Sequence, residues 1–127
     1  MIRDEQVSAA NRILVCTGKI GHELRRERAR RHGTNTAIVS VEQLYPFPSD
    51  ELASEFRRHS GAREIVWVQE EPANMGARAF VMSRLKRLAG DHSLRSVRRS
   101  ASASPATGSA KAHEIEQNAL LQLAFGR

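Results

Sequence analysis

EIVWVQEEPANMGARAF, residues 64–80, is the stretch on which the reading of the whole chain turns. Ile65, Val66, Trp67 and Val68 form a short apolar run with the bulk of a buried strand. The run breaks into a polar loop, Gln69 to Gly76, and helical spacing restarts at Ala77. A strand, a loop dense in specified chemistry and a helix are the repeating unit of open α/β sheets, in which ligands and partners gather at the carboxyl ends of strands. The paired carboxylates Glu70 and Glu71 could act as acid and base if burial separated their proton affinities. Neighbouring residues at a strand end point in different directions, however, so the better reading is that one of them accepts hydrogen bonds and fixes the loop.

The same unit recurs on both sides of this stretch. Arg12–Thr17 (RILVCT) is apolar on both faces, as a strand covered by helices on either side must be. Gly18 breaks it, Ile20 and Leu24 open a helix, and Gly33 is placed to terminate that helix in a left-handed conformation. Ala37–Val41 reads as the second strand. Tyr45-Pro46-Phe47-Pro48 fits neither helix nor central strand, because each proline removes a donor and restrains its predecessor. Ser49 is expected as an N-cap, with Asp50 and Glu51 in a first turn that favours acids, and Leu52, Ala53 and Phe56 as the apolar stripe.

Ala77, Phe80, Val81, Leu85 and Leu88 repeat at the helical period up to Gly90, and Leu94–Val97 alternates as a short fourth strand. Residues 98–109, RRSASASPATGS, have the composition of a flexible linker. A last helix follows over 111–125, with Ile115, Ala119, Leu120 and Leu123 expected on its buried side. The predicted order is β-α-β-α-β-α-β-loop-α: an α/β fold, a three-layer sandwich with a mostly parallel sheet. Residues 1–11, polar and aperiodic, are expected as a flexible N-terminal arm, and residues 12–127 as one domain.

Composition narrows the function classes. A chain of 127 residues with 40% apolar and 27% charged residues can bury one core. One cysteine, Cys16, rules out an internal disulfide and points to a reducing cytoplasm. No apolar run approaches the ~20 residues of a membrane span. The net charge of +6 suggests acidic or phosphate-bearing partners. Yet Arg25, Arg26, Arg28, Arg30 and Arg31 alternate with Glu23 and Glu27 at pairing distance along a helix, and no aromatic platform accompanies them. That pattern is a solvated helix face rather than a nucleic-acid surface. Gly18-Lys19-Ile20-Gly21 matches no phosphate-binding fingerprint and reads as a tight turn. The five histidines have no ligand spacing, and no serine sits on a nucleophile elbow.

Three longer segments carry a resemblance. VEQLYPFP (41–48), VWVQEEPANMGA (66–77) and SASPATGS (102–109), with LVCTGK (14–19) and AFG (124–126), resemble the C-terminal region of the first component of 2-oxoglutarate dehydrogenase. That thiamine-diphosphate-dependent enzyme, an oxidoreductase of the tricarboxylic acid cycle, decarboxylates 2-oxoglutarate and succinylates lipoyl groups. The resemblance implies a domain like the C-terminal domain of transketolase. It also implies that thiamine diphosphate and magnesium are held elsewhere in the full-length enzyme, none by this chain. The chain has no Gly-Asp-Gly cofactor motif and is expected to be inactive alone, with no catalytic residue of its own.

On this reading the partners are the remaining domains of the dehydrogenase and its homodimer mate. The expected contact residues are Tyr45, Pro46, Phe47, Trp67, Glu70, Glu71, Asn74 and Arg78. The chain departs from the family pattern at three places. Gly21 and His22 stand where two aromatics are usual, Arg78 where a tryptophan is usual, and Arg98-Arg99-Ser100 where Gly-Arg-Pro is usual. Acids at Asp50 and Glu51 disfavour a phosphate-bearing effector beside the Tyr45–Pro48 turn. The alternative is a stand-alone regulatory domain binding an anion or small molecule, with Arg98, Arg99, Ser102, Ser104 and Lys111 as ligands.

Overall fold

A computed structural model describes residues 1–31, 35–70, 78–99 and 110–126. Gly33, Glu71, Asn74, Ser102 and Ser104 lie outside the described residues, as does most of the serine-rich segment.

Among the described residues four strands form one sheet: β1 (Arg12–Cys16), β2 (Thr36–Ser40), β3 (Glu64–Val68) and β4 (Ser93–Val97), in the order β2-β1-β3-β4. All three pairings are parallel and unbroken, with Leu14 beside Ile38 on one side and Val66 on the other. The helices are α1 (Ile20–Arg30), α2 (Ser49–Arg58), α3 (Arg78–Ala89) and α4 (Ala110–Phe125). The expected α/β class and parallel sheet are both present.

The contiguous apolar runs explain the three layers. Alternate strand residues point to opposite faces. Ile13, Val15, Ile65 and Trp67 therefore pack with Leu52, Phe56, Val81 and Leu85 of α2 and α3. Leu14, Cys16, Ile38, Val66 and Val68 pack with Ile20 and Leu24 of α1 and with Leu120, Leu121 and Ala124 of α4. Each fully buried large side chain contributes about 1.5–3 kcal/mol. α1 sits close to the strand ends because residue 21 is glycine. A Cβ there would stand 2.8 Å from Ser40 Oγ, 3.0 Å from Arg25 Nη1 and 3.3 Å from Cys16 Sγ.

Some expected details change. α2 begins at Ser49 with Pro48 in the cap position, so Ser49 is the first helical residue rather than the cap. Its buried face includes Glu55 in place of Ala53, with the carboxylate bonded to Arg3 at 2.9 Å and to Arg58 at 3.3 Å. α4 buries Gln117, Leu120, Leu121 and Ala124, and leaves Ile115 (59%) and Leu123 (52%) exposed. Apolar residues occur all around this helix, so the stripe read from the sequence is centred on the wrong face.

Residues 1–11, expected as an arm for want of any periodicity, make specific contacts with the domain. Ile2 forms an antiparallel bridge to Ser40, and buried Asp4 accepts from the Ile38 amide at 2.8 Å and from Arg28. His59, fully buried, accepts at Nδ1 from the Ala10 amide at 2.9 Å.

Candidate interdomain surface

Because the four strands are parallel, the segments leaving β2, β3 and β4 emerge at one end of the sheet. Residues 41–48, Gln69 with Glu70, and Arg98 with Arg99 meet there. This brings most of the described candidates to one end of the molecule.

Tyr45 is 69% exposed and lies against Phe80 of α3, ring centroids 4.7 Å apart. Phe47 meets the same ring edge-on at 5.9 Å, and the Arg84 guanidinium covers it at 4.1 Å. The prolines do what the sequence required: they turn the chain out of the sheet and, with a cis bond before Pro46, lead it into α2. The result is an aromatic ledge backed by a cation, a surface whose contacts with a partner would gain both area and cation–π energy. Beside it opens a cleft of about 570 Å³, walled by Phe47, Pro46, Glu42, Asp50 and Glu51. Its carboxylates repel phosphate, in keeping with the acids noted in the sequence.

Trp67 is not part of this surface. It is 1% exposed, packed between the sheet and the α2/α3 layer, with Nε1 donating to Gln69 Oε1 at 2.8 Å. A tryptophan in a strand covered on both faces belongs to the core. Arg78 opens α3 and donates from Nε to Ser96 Oγ at 3.0 Å. At this position, then, the side chain bonds to the neighbouring strand β4 of the same domain.

Glu70 does not face a second carboxylate among the described residues. Its Oε2 accepts from Gln117 Nε2 at 3.3 Å, and Gln117 Oε1 accepts from Arg99. Arg99 also lies 3.3 Å from His113 and 3.7 Å from Glu116. One residue from each expected set, Glu70 and Arg99, is thus joined by a buried glutamine that no sequence pattern singled out. Gln117 falls on the sheet side of α4, and a polar residue on a buried helix face was the signal available. Arg99 is committed to α4, whereas Lys111 and Arg98 are exposed, and the described part of the anion set does not converge.

The other end of the sheet is closed by charge. Glu64 lies between Arg12 (2.6 Å) and Arg95 (2.8 Å), from the two strands flanking β3. Arg12 donates to Ala124 O at 3.2 Å and Arg95 to Leu123 O at 3.2 Å. The last carbonyls of α4, a helix with no basic residue in its final turn, thereby receive two guanidiniums where its dipole favours them. Burial raises the Glu64 proton affinity, but the bonds and charges of Arg95 and Arg12 outweigh it, and the carboxyl titrates below its ordinary range. Four arginines in and just after α1 are similarly engaged. Arg25 bonds Ser40 Oγ at 3.0 Å, Arg28 bonds Asp4, and Arg30 and Arg31 bond Glu27 at 2.6 and 2.8 Å. Cys16 is buried, and burial pushes its thiol up and away from reactivity.

Nothing in this set resembles a cofactor cradle. Among the described residues no three His, Cys, Asp or Glu side chains gather as ligands for a cation. Glu70 is already bonded to a glutamine. Nor is any helix among the described residues long and apolar enough to cross a membrane.

The described residues thus form a parallel α/β domain with an aromatic ledge at the carboxyl end of its sheet. Residues 1–125 match the family described as 2-oxoglutarate dehydrogenase C-terminal, and the chain belongs to that family. It is 40% identical over 121 residues to the 2-oxoglutarate dehydrogenase E1 component of Cupriavidus necator, covering 94% of this chain and 13% of that protein. The E1 component of Geobacillus sp. (strain WCH70) is 38% identical over 123 residues, 95% of this chain and 13% of its own length. That of Azotobacter vinelandii is 40% identical over 118 residues, 90% and 12% respectively. The chain thus corresponds to the C-terminal region of E1 and spans about an eighth of these relatives' length.

Proposed function

We propose that this chain is the non-catalytic C-terminal domain of a cytoplasmic 2-oxoglutarate dehydrogenase E1 component. Its carboxyl-end surface packs against the remaining domains and supports assembly of the homodimer. Those domains hold thiamine diphosphate and magnesium, decarboxylate 2-oxoglutarate and pass the succinyl group to lipoyl carriers. The observation that carries the reading is the exposed Tyr45 ring lying tilted against Phe80, with Phe47 and Arg84 beside it. A ring of this kind buries ~150–250 Å² when covered, enough to anchor an interface. The domain's interior supports the same reading, because Glu70, Gln117 and Arg99 bond to one another within the domain, while the ledge faces outward.

The test is complementation. Co-expressed with a Cupriavidus necator E1 component shortened by its matching C-terminal region, the chain should co-purify and restore 2-oxoglutarate decarboxylation. The Tyr45→Ala/Phe47→Ala double variant should co-purify far less while remaining folded. A wild-type chain that stays unassociated would overturn the proposal.

A further inference from the structure

The two edges of the sheet are finished differently. Val41 N donates to Cys16 O, and parallel pairing alternates direction residue by residue. Residues 36, 38 and 40 of β2 therefore turn their backbone groups outward, and five of these six groups are bonded. Thr36 O accepts from Arg28, Ile38 N donates to Asp4, Ile38 O accepts from Arg25, and Ser40 exchanges both its bonds with Ile2. At the other edge, Ser93 N donates to Arg63 O and Val97 O accepts from Gln69 N. Residues 93, 95 and 97 thus face β3, and Leu94 and Ser96 turn their N–H and C=O outward. No described residue outside the sheet bonds to these backbone groups. β4 carries no proline and no bulge, the usual means of blunting an edge.

The surroundings say what would fit. On the α3 side, Leu94 borders a trough of about 570 Å³ shared with Met82, Ala89 and Lys86. On the opposite side stands Arg95, bonded to the Leu123 and Gly126 carbonyls and sharing the single carboxylate of Glu64 with Arg12, so that this group of two guanidiniums and one carboxylate carries a net positive charge. A second copy fits poorly, because antiparallel pairing centred on residue 95 sets Arg95 against Arg95, and like charges directly opposite are destabilising.

We propose that the β4 edge receives an extended segment of a partner polypeptide whose side chains alternate between apolar and acidic. The apolar side chains enter the trough beside Leu94, the acidic ones meet Arg95, and the backbone pairs with Leu94 and Ser96. This surface is separate from the aromatic ledge, and the proposal stands or falls independently of the complementation test.

The probe is the acetylated, amidated hexapeptide TVEVET, titrated into the wild-type chain with backbone amides followed by NMR. Expected are shifts centred on Leu94 and Ser96. Binding should weaken roughly tenfold when both glutamates become lysine, and vanish when alternate peptide nitrogens are methylated. Arg95→Glu should reverse the charge preference, and if that variant fails to fold the three peptides on the wild type still decide. Equal binding of acidic and basic peptides, shifts confined to another surface, or no response at millimolar peptide would each overturn the proposal. So would concentration-dependent shifts of Leu94 and Ser96 without peptide, which would assign the edge to a second copy.

Discussion

The side-chain amide of Gln117 donates to Glu70 at 3.3 Å while its carbonyl accepts from Arg99, so one neutral residue on α4 ties together the segments leaving β3 and β4. Gln117→Leu keeps the volume and removes both bonds, leaving a largely buried guanidinium short of a partner. It should cost about 1–3 kcal/mol in urea denaturation. Equal stability of Gln117→Leu and wild type would show that the relay contributes nothing.

Asp4 holds the N-terminal segment to β2 through the Ile38 amide and Arg28, whose side chain is only 10% exposed. Removing one member of a buried ion pair leaves the other uncompensated, so Asp4→Ala should destabilise by about 3 kcal/mol. Hydrogen exchange gives the sharper readout: the Ile38 and Ser40 amides should lose protection while those of Leu14 and Val66 keep theirs.

Stability should fall on acidification in two stages. Burial, reinforced by the Arg58 charge, lowers the His59 proton affinity against the opposing pull of Glu55 and Asp4. The unfolded chain therefore takes up that proton first, and stability declines below roughly pH 6.5, where an unperturbed histidine titrates. Asp4 and Glu64 are both held below the carboxylate range. For Asp4, burial raises the affinity, but bonds from Ile38, Arg28 and Gln6 outweigh it. Their contribution is complete above roughly pH 4 and disappears as pH falls through the lowered values. Urea midpoints measured across pH should show both declines, and Glu64→Gln should flatten the lower one.

Trp67 and Tyr45 should behave oppositely. Trp67→Phe leaves a void in the core and strips Gln69, itself buried, of its indole donor, for a loss of about 2 kcal/mol in thermal or urea unfolding. Tyr45→Ala, on an exposed ring, should change stability by no more than about 1 kcal/mol, while weakening association with the shortened E1 component. A Tyr45→Ala variant that unfolds more readily than Trp67→Phe would reverse the assignment of core and surface.

The parallel sheet was legible because each strand is a contiguous apolar run, which only a layer covered on both faces tolerates. Trp67 belongs to that logic as part of the buried run, and the resemblance that also named it a contact residue conflicts with its place in the core. Asp4 was not legible: its partners, Arg28 and the Ile38 amide, are distant in sequence, and an isolated acid in a polar segment carries no periodic signal. α4 misled for the opposite reason, since Ile115, Leu120, Leu121 and Leu123 spread around the helix and allow two stripes, of which the sheet selects one. Of the ledge, Tyr45 and Phe47 could be named from the turn, but Phe80 and Arg84 come from the far side of the loop, and only the fold brings them together.

Position 21 shows how three side chains settle the use of one volume. The room beside α1 at the strand ends is filled here by the Arg25 guanidinium and the Ser40 hydroxyl, which approach a glycine too closely for any side chain there to be accommodated without a shift. An aromatic at 21 and an arginine reaching across from 25 are alternative occupants of one volume. Transplanting the ring alone would produce a collision, and removing the arginine alone a vacancy. Any redesign of residue 21 is therefore a redesign of 25 and 40 as well.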